Sequence, residues 1–483
     1  MATKVIEHPD IEERRAEGKE ARRRTPPSSH AGWHPVADRA DPVTLLDEQN
    51  KTREPDLVPV RHGRMMVSPF TFYRGSAKIM AADLKDTPTA GLTVQLCGDA
   101  HLSNFGVFGS PERRLLFDLN DFDETLPGPF EYDVQRMAAS FTIAARNNGF
   151  SNPDTLDATT ASVAAYREAM AEFAEMRTME IWYARMDEDD LAAAVRGTLD
   201  QVVKGKHGKK DAKAAVKAGK SFEKNRQKAH SRDSLQALSK LGEVVDGQAR
   251  IVSQPPFVVP IRDLAAIYGL SGDETDEAIR AQFRAYRATL SDDHRQLLER
   301  FRLVDAARKV VGVGSVGTRA FIALLQGRDA GDVLFLQVKE ATNSVLEAHL
   351  PKSTYKQHGE RVVRGQRMMQ AASDIFLGWT VGHDKRRNFY WRQLRDMKGS
   401  ALVETMPPVA LTLYARLCGW TLARAHARSG DPVAISRYLG NNDKFDRSIT
   451  DFSVQYANQN EQDYEAFVKA IRSGRLEAAE DIG

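Results

Sequence analysis

Two aspartates and an asparagine stand in short polar segments that each follow an apolar run. Asp99 follows the first run, Asn104 comes five residues later, and Asp121 follows the second run. Phosphoryl transfer requires an acceptor for the proton of the attacking hydroxyl, oxygen ligands for Mg²⁺ and a fixed geometry between them. We therefore predict that Asp99 and Asn104 are catalytic residues, with Asp99 as the base, and that Asn104 and Asp121 bind Mg²⁺.

Other polar residues near these segments are assigned by the roles that their types usually play. Asp123 follows Asp121 by two positions, and we leave two interpretations open, a second metal ligand and a surface acid. His101 is expected to support the loop by hydrogen bonding. Arg74 and Arg136 are interpreted as salt-bridge partners rather than phosphate ligands.

Several different short motifs are distributed along most of the chain. They are Arg61, Arg64-Met65, Ser68-Pro69-Phe70, Tyr73-Arg74-Gly75-Ser76, Gly98 to Gly106, Asn120 to Thr125, Pro127 to Arg136, Lys339-Glu340-Ala341, Gly359-Glu360-Arg361-Val362-Val363, Leu417-Cys418-Gly419-Trp420 and His426-Ala427-Arg428. Through these motifs the chain closely resembles the bacterial proteins grouped as domain of unknown function 2252. That family name implies no activity, so the function has to be argued from the site.

A second resemblance is more local and does imply an activity. The segment from Gly98 to Asn104, together with Asp121, resembles the catalytic loop and the metal-binding aspartate of aminoglycoside-phosphotransferase-like kinases. The resemblance implies a protein-kinase-like fold of two lobes, with ATP and Mg²⁺ as cofactors. It also implies that Asp133 is the buried aspartate that anchors the backbone of the catalytic loop.

A glycine-rich stretch at residues 311–317 matches the pattern G-x-G-x-x-G. The residues expected to contact a nucleotide here are Gly312, Gly314, Ser315 and Gly317. In a dinucleotide-binding fold such glycines open a helix that meets a pyrophosphate. In a kinase-like fold they form a hairpin over the ATP phosphates. Residues 319–326 fit a helix or a strand. We choose the hairpin because Asp99, Asn104 and Asp121 together favour a kinase-like site.

The kinase-like interpretation also needs a lysine and an acidic partner for it. Lys339 ends a β-rich run at residues 333–338 and is predicted to contact the nucleotide phosphates. Glu360, at the start of a periodic segment, is the first candidate for the partner, and Glu347 is the nearer alternative in sequence.

Five antiparallel strands and one helix are expected within residues 306–400, where they would form a small ATP-binding lobe. The last two strands are expected at residues 376–379 and 388–394. Because the glycine-rich stretch follows Asp99 in the chain, the order is the reverse of that in ordinary kinases. The predicted fold is therefore α+β and kinase-like, with two lobes in a circularly permuted order.

The rest of the chain divides by composition. Residues 1–55 lack an apolar period and are predicted to be a flexible or loosely docked arm. Residues 56–150 are expected to hold short strands and turns that end in a helix, as the catalytic and metal-binding part of the large lobe. Residues 151–305 are predicted to be a helical substrate region, and residues 401–483 to be helices that complete the large lobe.

Two parts of the helical substrate region have distinct sequence patterns, one apolar and periodic and the other basic. Apolar positions from Ile279 to Val304 predict long packed helices over residues 273–309. The basic stretch at residues 204–232 fits a solvated linker or helix face, or a surface that recruits an anionic substrate. The sequence alone leaves both interpretations of the basic stretch open.

Composition limits the function classes. The chain has 483 residues, 42% of them apolar, and a formal net charge of +2, so no global field favours nucleic acid or an anionic membrane as partner. Two cysteines and the lack of a signal-peptide pattern predict a cytoplasmic protein without disulfides. No apolar run is long enough for a membrane span. The oligomeric state is left open.

The favoured function is an ATP- and Mg²⁺-dependent phosphotransferase that acts on a hydroxyl of a small molecule rather than of a protein. Transfer of a nucleotidyl group at the same site is an alternative. A metal-dependent phosphoesterase and a non-catalytic nucleotide-binding module are the other two hypotheses.

Overall fold

The computed structural model describes residues 8–204, 209–232, 234–264, 272–310, 312–394 and 397–479. Parts of the predicted segments lie outside these residues, namely 1–7 of the arm, 205–208 of the basic stretch, 233 and 265–271 of the helical region, 311 and 395–396 of the expected small lobe, and 480–483 of the C-terminal segment. The described chain is a mixed α+β protein, mostly helical, with several antiparallel sheets.

The helices are α1 (Ile11–Arg24), α2 (Pro42–Asn50), α3 (Val58–Met65), α4 (Pro69–Gly75), α5 (Ala77–Leu84), α6 (Phe130–Asn147), α7 (Asn152–Glu175), α8 (Thr178–Tyr183), α9 (Glu188–Lys204), α10 (Lys209–His230), α11 (Ser234–Leu241), α12 (Ile261–Leu264), α13 (Gly272–Arg287), α14 (Asp292–Leu298), α15 (His358–Met369), α16 (Pro408–Ala427), α17 (Pro432–Leu439) and α18 (Lys444–Arg472). The strands are β1 (Thr93–Leu96), β2 (Phe105–Gly109), β3 (Leu115–Leu119), β4 (Leu126–Pro129), β5 (Gly242–Val245), β6 (Gln248–Ile251), β7 (Val258–Pro260), β8 (Arg302–Lys309), β9 (Ala320–Gln326), β10 (Val333–Ala341), β11 (Gly378–Val381), β12 (Asn388–Gln393) and β13 (Gly399–Ser400).

A six-stranded antiparallel sheet has the strand order β11-β12-β10-β9-β8-β7. Its central strand β10 is buried along its whole length, because the sheet is covered on both faces. On one face, Tyr286 of α13 stacks on Trp391 of β12 with 4.5 Å between the ring centroids. On the other face, Leu241 of α11 and Ile251 of β6 pack with Ile322 of β9. The continuous apolar run of β10 follows from this double cover.

Helices from both halves of the chain form a second body, which holds β1 to β4. The largest helix pair is α7 with α16, and α18 packs on α6 and α7. Helix α7 and helix α16 approach closely at Gly419, where a Cβ atom would overlap the carbonyl oxygen of Ser162. Glycine is therefore required at position 419 by the contact between the two helices.

The N-terminal segment, for which the sequence left a flexible or a loosely docked arm open, contains a docked helix. Helix α1 begins at a capping box formed by Asp10 and Glu13, and it packs against α17 through Gly18 and Ala21. Arg22 Nη1 donates a hydrogen bond to the Leu439 carbonyl oxygen at 2.8 Å. The segment docks through small residues and backbone carbonyls. Because such contacts need no large apolar side chains, the sequence of the segment shows no apolar period.

Two local predictions are wrong. Residues 58–84 form the helices α3, α4 and α5 rather than short strands, starting where Pro59 and the Ser68 cap stand. The helices expected over residues 273–309 are present as α13 and α14 but end at Leu298, and residues 302–309 form strand β8, which is half-buried against β9. The helices expected at the start of residues 151–305 and within residues 401–483 are present as α7 to α9 and as α16 to α18. Among the described residues, no helix has both the length and the apolar character that a membrane crossing needs.

We predict that Gly419→Ala destabilises the protein by about 1 to 3 kcal/mol, because the added methyl group would force α7 and α16 apart. Gly197→Ala is the matched control in helix α9, where a Cβ atom would meet nothing within 4 Å. The control should be neutral or more stable by up to about 1 kcal/mol, as expected for alanine in an exposed helix. Urea unfolding followed by circular dichroism measures both variants, and equal stability of Gly419→Ala and wild type would contradict the close approach.

Candidate functional site

The backbone of the segment that carries Asp99 is fixed by helix α6. The N–H groups of Cys97 and Gly98 donate to the two carboxylate oxygens of Asp133 at 2.7 and 3.0 Å. His426 Nε2 of α16 lies 3.3 Å from the same carboxylate. Asp133 is thus a buried anchor for this loop, as predicted. The turn also needs a glycine, since Gly98 has a φ of +85°.

Asp99 points into a cleft and is held by one cation. Arg136 Nε donates to Asp99 Oδ1 at 2.8 Å, and the Arg136 side chain is 3% exposed against 20% for Asp99. Arg136 also donates to the Tyr73 carbonyl and lies over the Tyr73 ring, 3.8 Å from its centroid. The salt-bridge role predicted for Arg136 is confirmed.

Burial lowers the pKa of His101 to about 4, so this neighbour of Asp99 is neutral at pH 7.

Asn104 closes the loop on itself. Its Nδ2 donates to the backbone oxygen of Asp99 at 2.6 Å, and its own backbone oxygen accepts the Asn120 N–H at 2.8 Å. The second bond brings the Asp99 segment next to the segment that begins at Asn120. With Nδ2 used in the loop, the amide oxygen of Asn104 is the atom left for a cation, and Asn104 lines the same cavity as Asp121.

Lys339 joins the large sheet to the acidic segment. Its Nζ lies 2.5 Å from Asp123 Oδ2 and 3.4 Å from Asp121 Oδ2, across 216 and 218 residues of sequence. The lysine side chain is 2% exposed, whereas Asp121 and Asp123 keep 33% and 29% exposure. The ammonium group therefore lies beneath the two carboxylates, which remain open to a ligand.

Burial and neighbouring charges together set the pKa values of the triad formed by Lys339, Asp121 and Asp123. Burial would raise the pKa of Asp121, but the charges of Lys339 and Arg392 outweigh it and lower that pKa. Burial and the neighbouring Asp121 raise the pKa of Asp123. Burial would lower the pKa of Lys339, yet both aspartates raise it. Asp121 is consequently the carboxylate that stays ionised most readily, which suits a metal ligand.

Two residues that support the triad were missed from the sequence. Tyr390 stands opposite Lys339 in the register of β10 and β12, and its hydroxyl donates to Asp123 Oδ1 at 2.7 Å. Arg361 of α15 donates to the backbone oxygens of Asp123, Thr125 and Thr342. Arg361 follows Glu360 directly in the family motif, so the motif was a usable signal, whereas the role of Tyr390 depends on strand register.

Residues 312–317 of the glycine-rich stretch lie between β8 and β9, and a strand rather than a helix follows them. Gly312 and Gly317 have φ values of +67° and +88°. Arg64 Nη1 donates to the Gly312 carbonyl at 2.5 Å, and a Cβ on Gly314 would lie 2.9 Å from the Arg74 carbonyl. The helix that a dinucleotide site requires is thus absent after this loop, among the residues described.

One cavity of about 510 Å³ brings several of the predicted residues together. The candidate residues on its wall are Asp99, Asn104, Asp121, Asp123, Gly312, Gly314 and Ser315. Gly317 and Lys339 do not line the cavity. Gly317 packs on the side chain of Arg53, and Lys339 lies behind the carboxylates. The wall also includes Arg53 and Arg74, which come from the N-terminal helical segment.

Glu360 does not have the position that the sequence suggested for a lysine partner. Its carboxylate lies 3.3 Å from Arg364 on the same helix. The alternative, Glu347, lies 4.0 Å from Arg361. Lys339 is instead neutralised by Asp121 and Asp123, which are nearer because the acidic segment crosses directly under β10.

The residues fit a metal ion only if a ligand completes the coordination. Among the described residues, no group of three or more His, Cys, Asp or Glu side chains could hold a metal. Asp121 and the amide oxygen of Asn104 offer two oxygens at the cavity wall. Mg²⁺ in phosphoryl-transfer sites is bound by one or two carboxylates together with substrate phosphates, and this donor set meets that requirement.

Comparison with known proteins gives a family. A family model described as an uncharacterized protein conserved in bacteria (DUF2252) matches residues 53–470. The chain belongs to the DUF2252 family. No curated protein and no solved structure matches it. The matched part of this DUF2252 protein begins at Arg53 and includes every candidate site residue.

We predict that Lys339→Met destabilises the protein by about 2 to 3 kcal/mol at pH 7.5. Loss of one partner from a buried ion pair typically destabilises by about 3 to 5 kcal/mol, and the partial exposure of Asp121 and Asp123 reduces the effect. Without the ammonium group, burial and mutual repulsion raise the pKa of both aspartates above their unfolded values near 3.9. The native variant then binds protons that the unfolded chain does not, so its deficit relative to wild type should shrink as pH falls toward 5.

Urea unfolding at pH 7.5 and pH 5 measures this difference. Lys78→Met is the matched control, because Lys78 pairs with Glu48 at 2.7 Å but both side chains are more exposed. The control should change stability by less than about 1 kcal/mol at either pH. A Lys339→Met deficit that does not change with pH would contradict the ion-pair origin.

Proposed function

We propose that this DUF2252 protein is an ATP- and Mg²⁺-dependent phosphotransferase that transfers a phosphoryl group to a hydroxyl of a small molecule. The observation that carries the proposal is the single cavity in which Asp99, Asn104 and Asp121 meet the glycine-rich loop. These parts come from distant segments of the chain, and a structural role for any one of them would not require the others to face the same space. Phosphoryl transfer requires all of them together.

Each residue of the site has a role that its contacts favour. Asp99 accepts the proton of the acceptor hydroxyl, and Arg136 orients its carboxylate by binding Oδ1. Lys339 lies beneath Asp121 and Asp123, where it holds the two carboxylates beside the space that the phosphates of a nucleotide would occupy. The backbone N–H groups of the loop that contains Gly312 and Gly314 are suited to phosphate oxygens.

Asp121 and Asn104 are the residues that would hold Mg²⁺ in this proposal, with Asp123 as a further carboxylate beside them. The metal, when bound, neutralises the charge that develops on the transferred phosphoryl group. The low pKa of Asp121, which Lys339 and Arg392 cause against the effect of burial, keeps this carboxylate ionised for the metal at neutral pH.

The arrangement of the sheet supports a kinase-like small lobe in a permuted chain. The glycine-rich loop joins β8 to β9, and Lys339 stands on the next strand, β10. Protein kinases use the same succession of loop, strand and lysine. Here the succession follows Asp121 in the chain, and its lysine, Lys339, is 218 positions after Asp121. A circularly permuted, two-lobed kinase-like fold is therefore part of the proposal, and the ATP that it needs is abundant in the cytoplasm, the compartment that the sequence predicts.

The alternatives have less support. A two-metal phosphoesterase needs clustered His and Asp ligands, and the part of the chain that the structure describes holds no such cluster of three. Transfer of a nucleotidyl group would use the same cavity, and ATP labelled at the α- or the γ-phosphate distinguishes the two reactions. A non-catalytic nucleotide-binding module would bind ATP without turnover.

The first test is the thermal unfolding midpoint of the full chain with ATP, GTP, NAD⁺ and AMP, each with and without Mg²⁺. A ligand at a hundredfold excess over its Kd stabilises the native state by about 2.7 kcal/mol, which gives a shift of several degrees. We expect a Mg²⁺-dependent shift with ATP that Lys339→Met reduces. A shift with NAD⁺ alone, or with none of the ligands, would refute the proposal.

We predict that Asp99→Asn lowers the rate of Mg²⁺-dependent γ-phosphoryl transfer from ATP, measured with water as acceptor, by about 10²- to 10⁴-fold. The affinity for MgATP, measured by calorimetry, should remain, because the amide keeps the shape of the side chain but loses the base. Glu48→Gln is the control, since Glu48 lies on the rim of the same cavity and pairs with Lys78. Equal rates for Asp99→Asn and wild type would exclude Asp99 as the base.

A further inference from the structure

Two guanidinium groups on the cavity wall, those of Arg53 and Arg74, make no ion pair with a carboxylate of the described residues. Arg74 lies in the last turn of α4, and it lines the same cavity as Asp99. Its Nε is buried without a hydrogen-bond partner, and within the described residues no carboxylate lies within 4.0 Å of its guanidinium. The aromatic ring of Phe70 lies beside it, 5.9 Å away. The salt bridge that the sequence suggested for Arg74 is not formed.

Arg53 is the second of these groups and is more deeply buried. It is 8% exposed, and its Nη1 donates to the Val316 carbonyl of the glycine-rich loop. Its Nε has no partner in the part of the chain that the structure describes. Burial lowers the pKa of Arg53 to about 10 and also lowers that of Arg74. A pKa of about 10 leaves Arg53 positively charged at neutral pH.

Most carboxylates around the cavity already have a cation nearby. The pairs are Asp99 with Arg136, Asp121 and Asp123 with Lys339, Glu340 with Arg319, Glu48 with Lys78, and Glu347 with Arg361. The exception on the wall is Glu124, whose carboxylate accepts the Val345 N–H at 2.7 Å. Neither Arg53 nor Arg74 makes an ion pair with any of these acids. An unpaired buried cation is destabilising, and an anionic ligand would relieve that effect.

We infer that Arg53 and Arg74 form a subsite for a phosphate group of the substrate, beside the glycine-rich loop in the cavity that Asp99 also lines. The planar guanidinium matches the oxygens of a phosphate in pairs, which an ammonium group does not. The position next to Gly314, whose Cβ would contact the Arg74 carbonyl, puts the subsite against the loop. This inference rests on the proposed function, because it names a phosphate carried either by the nucleotide or by a phosphorylated acceptor.

Calorimetric titration of the full chain with inorganic pyrophosphate, without Mg²⁺, tests the subsite directly. Arg74→Gln should weaken pyrophosphate binding at least tenfold, about 1.4 kcal/mol, and Arg74→Lys should give an intermediate loss because it keeps the charge but not the paired geometry. Lys51→Gln removes one positive charge from an exposed position near Arg53 and should change the affinity less than twofold. Equal affinities for Arg74→Gln and wild type, or no pyrophosphate binding by wild type, would overturn the subsite.

The stability of Arg74→Gln separates ligand binding from a structural role. A residue that holds the fold would destabilise it when replaced, whereas an unpaired buried cation should leave the unfolding midpoint unchanged or raised. A fall in the midpoint by several degrees would therefore also overturn the inference.

A last pair of titrations identifies the source of the phosphate and keeps the two proposals apart. Weaker MgATP binding by Arg74→Gln assigns the subsite to the nucleotide. Unchanged MgATP binding, with loss of pyrophosphate binding in the presence of a saturating non-hydrolysable ATP analogue, assigns it to a phosphorylated acceptor. If wild type binds pyrophosphate through Arg74 but does not bind MgATP, the proposed function fails and the phosphate subsite stands.

Discussion

The rest of the site depends on one interaction, the ion pairing of the buried Lys339 ammonium group with Asp121 and Asp123. An ammonium group with 2% exposure is stable only if carboxylates stand next to it, and both of them come from a segment more than 200 residues earlier. This requirement brings strand β10 over Asp121 and Asp123. Arg361 reinforces the same crossing by donating to backbone oxygens on both sides of it. The cleft between the sheet and the helical body is thus fixed by charge pairing as well as by apolar packing.

A single helix positions the other half of the site. Asp133, Arg136 and Ser140 stand at helical spacing on α6, so their side chains project from one face. Asp133 holds the backbone at Cys97 and Gly98, Arg136 holds the Asp99 carboxylate, and Ser140 Oγ accepts the Leu102 N–H at 3.0 Å. One rigid element therefore sets the backbone and the side-chain orientation of the segment together, and it does so from a position that is almost fully buried.

The sequence predicted those features that depend on residue type and local spacing. The acids at 99 and 121, the glycine-rich loop and Lys339 were singled out because each has a recognisable neighbourhood, and their roles stay predictions. The strands β10 and β12 were predicted because each contains an apolar run. The partner of Lys339 was misassigned, since strand and helix order does not reveal which acid crosses beneath a lysine. The docked N-terminal helix was missed because it binds through Gly18, Ala21 and backbone carbonyls. Arg74 was given a salt bridge that only a three-dimensional structure could test.

The helical body around α6 also bears on how the chain is made. The Asp99 loop is anchored in part through His426, and α6 is covered by α18, which ends at Arg472. During synthesis the N-terminal residues leave the ribosome first and wait for these C-terminal helices, whereas the six-stranded sheet can pair soon after residue 393 has emerged. Contacts between distant segments form slowly. The Asp99 loop of this protein is thus among the first parts translated and among the last to reach its final geometry.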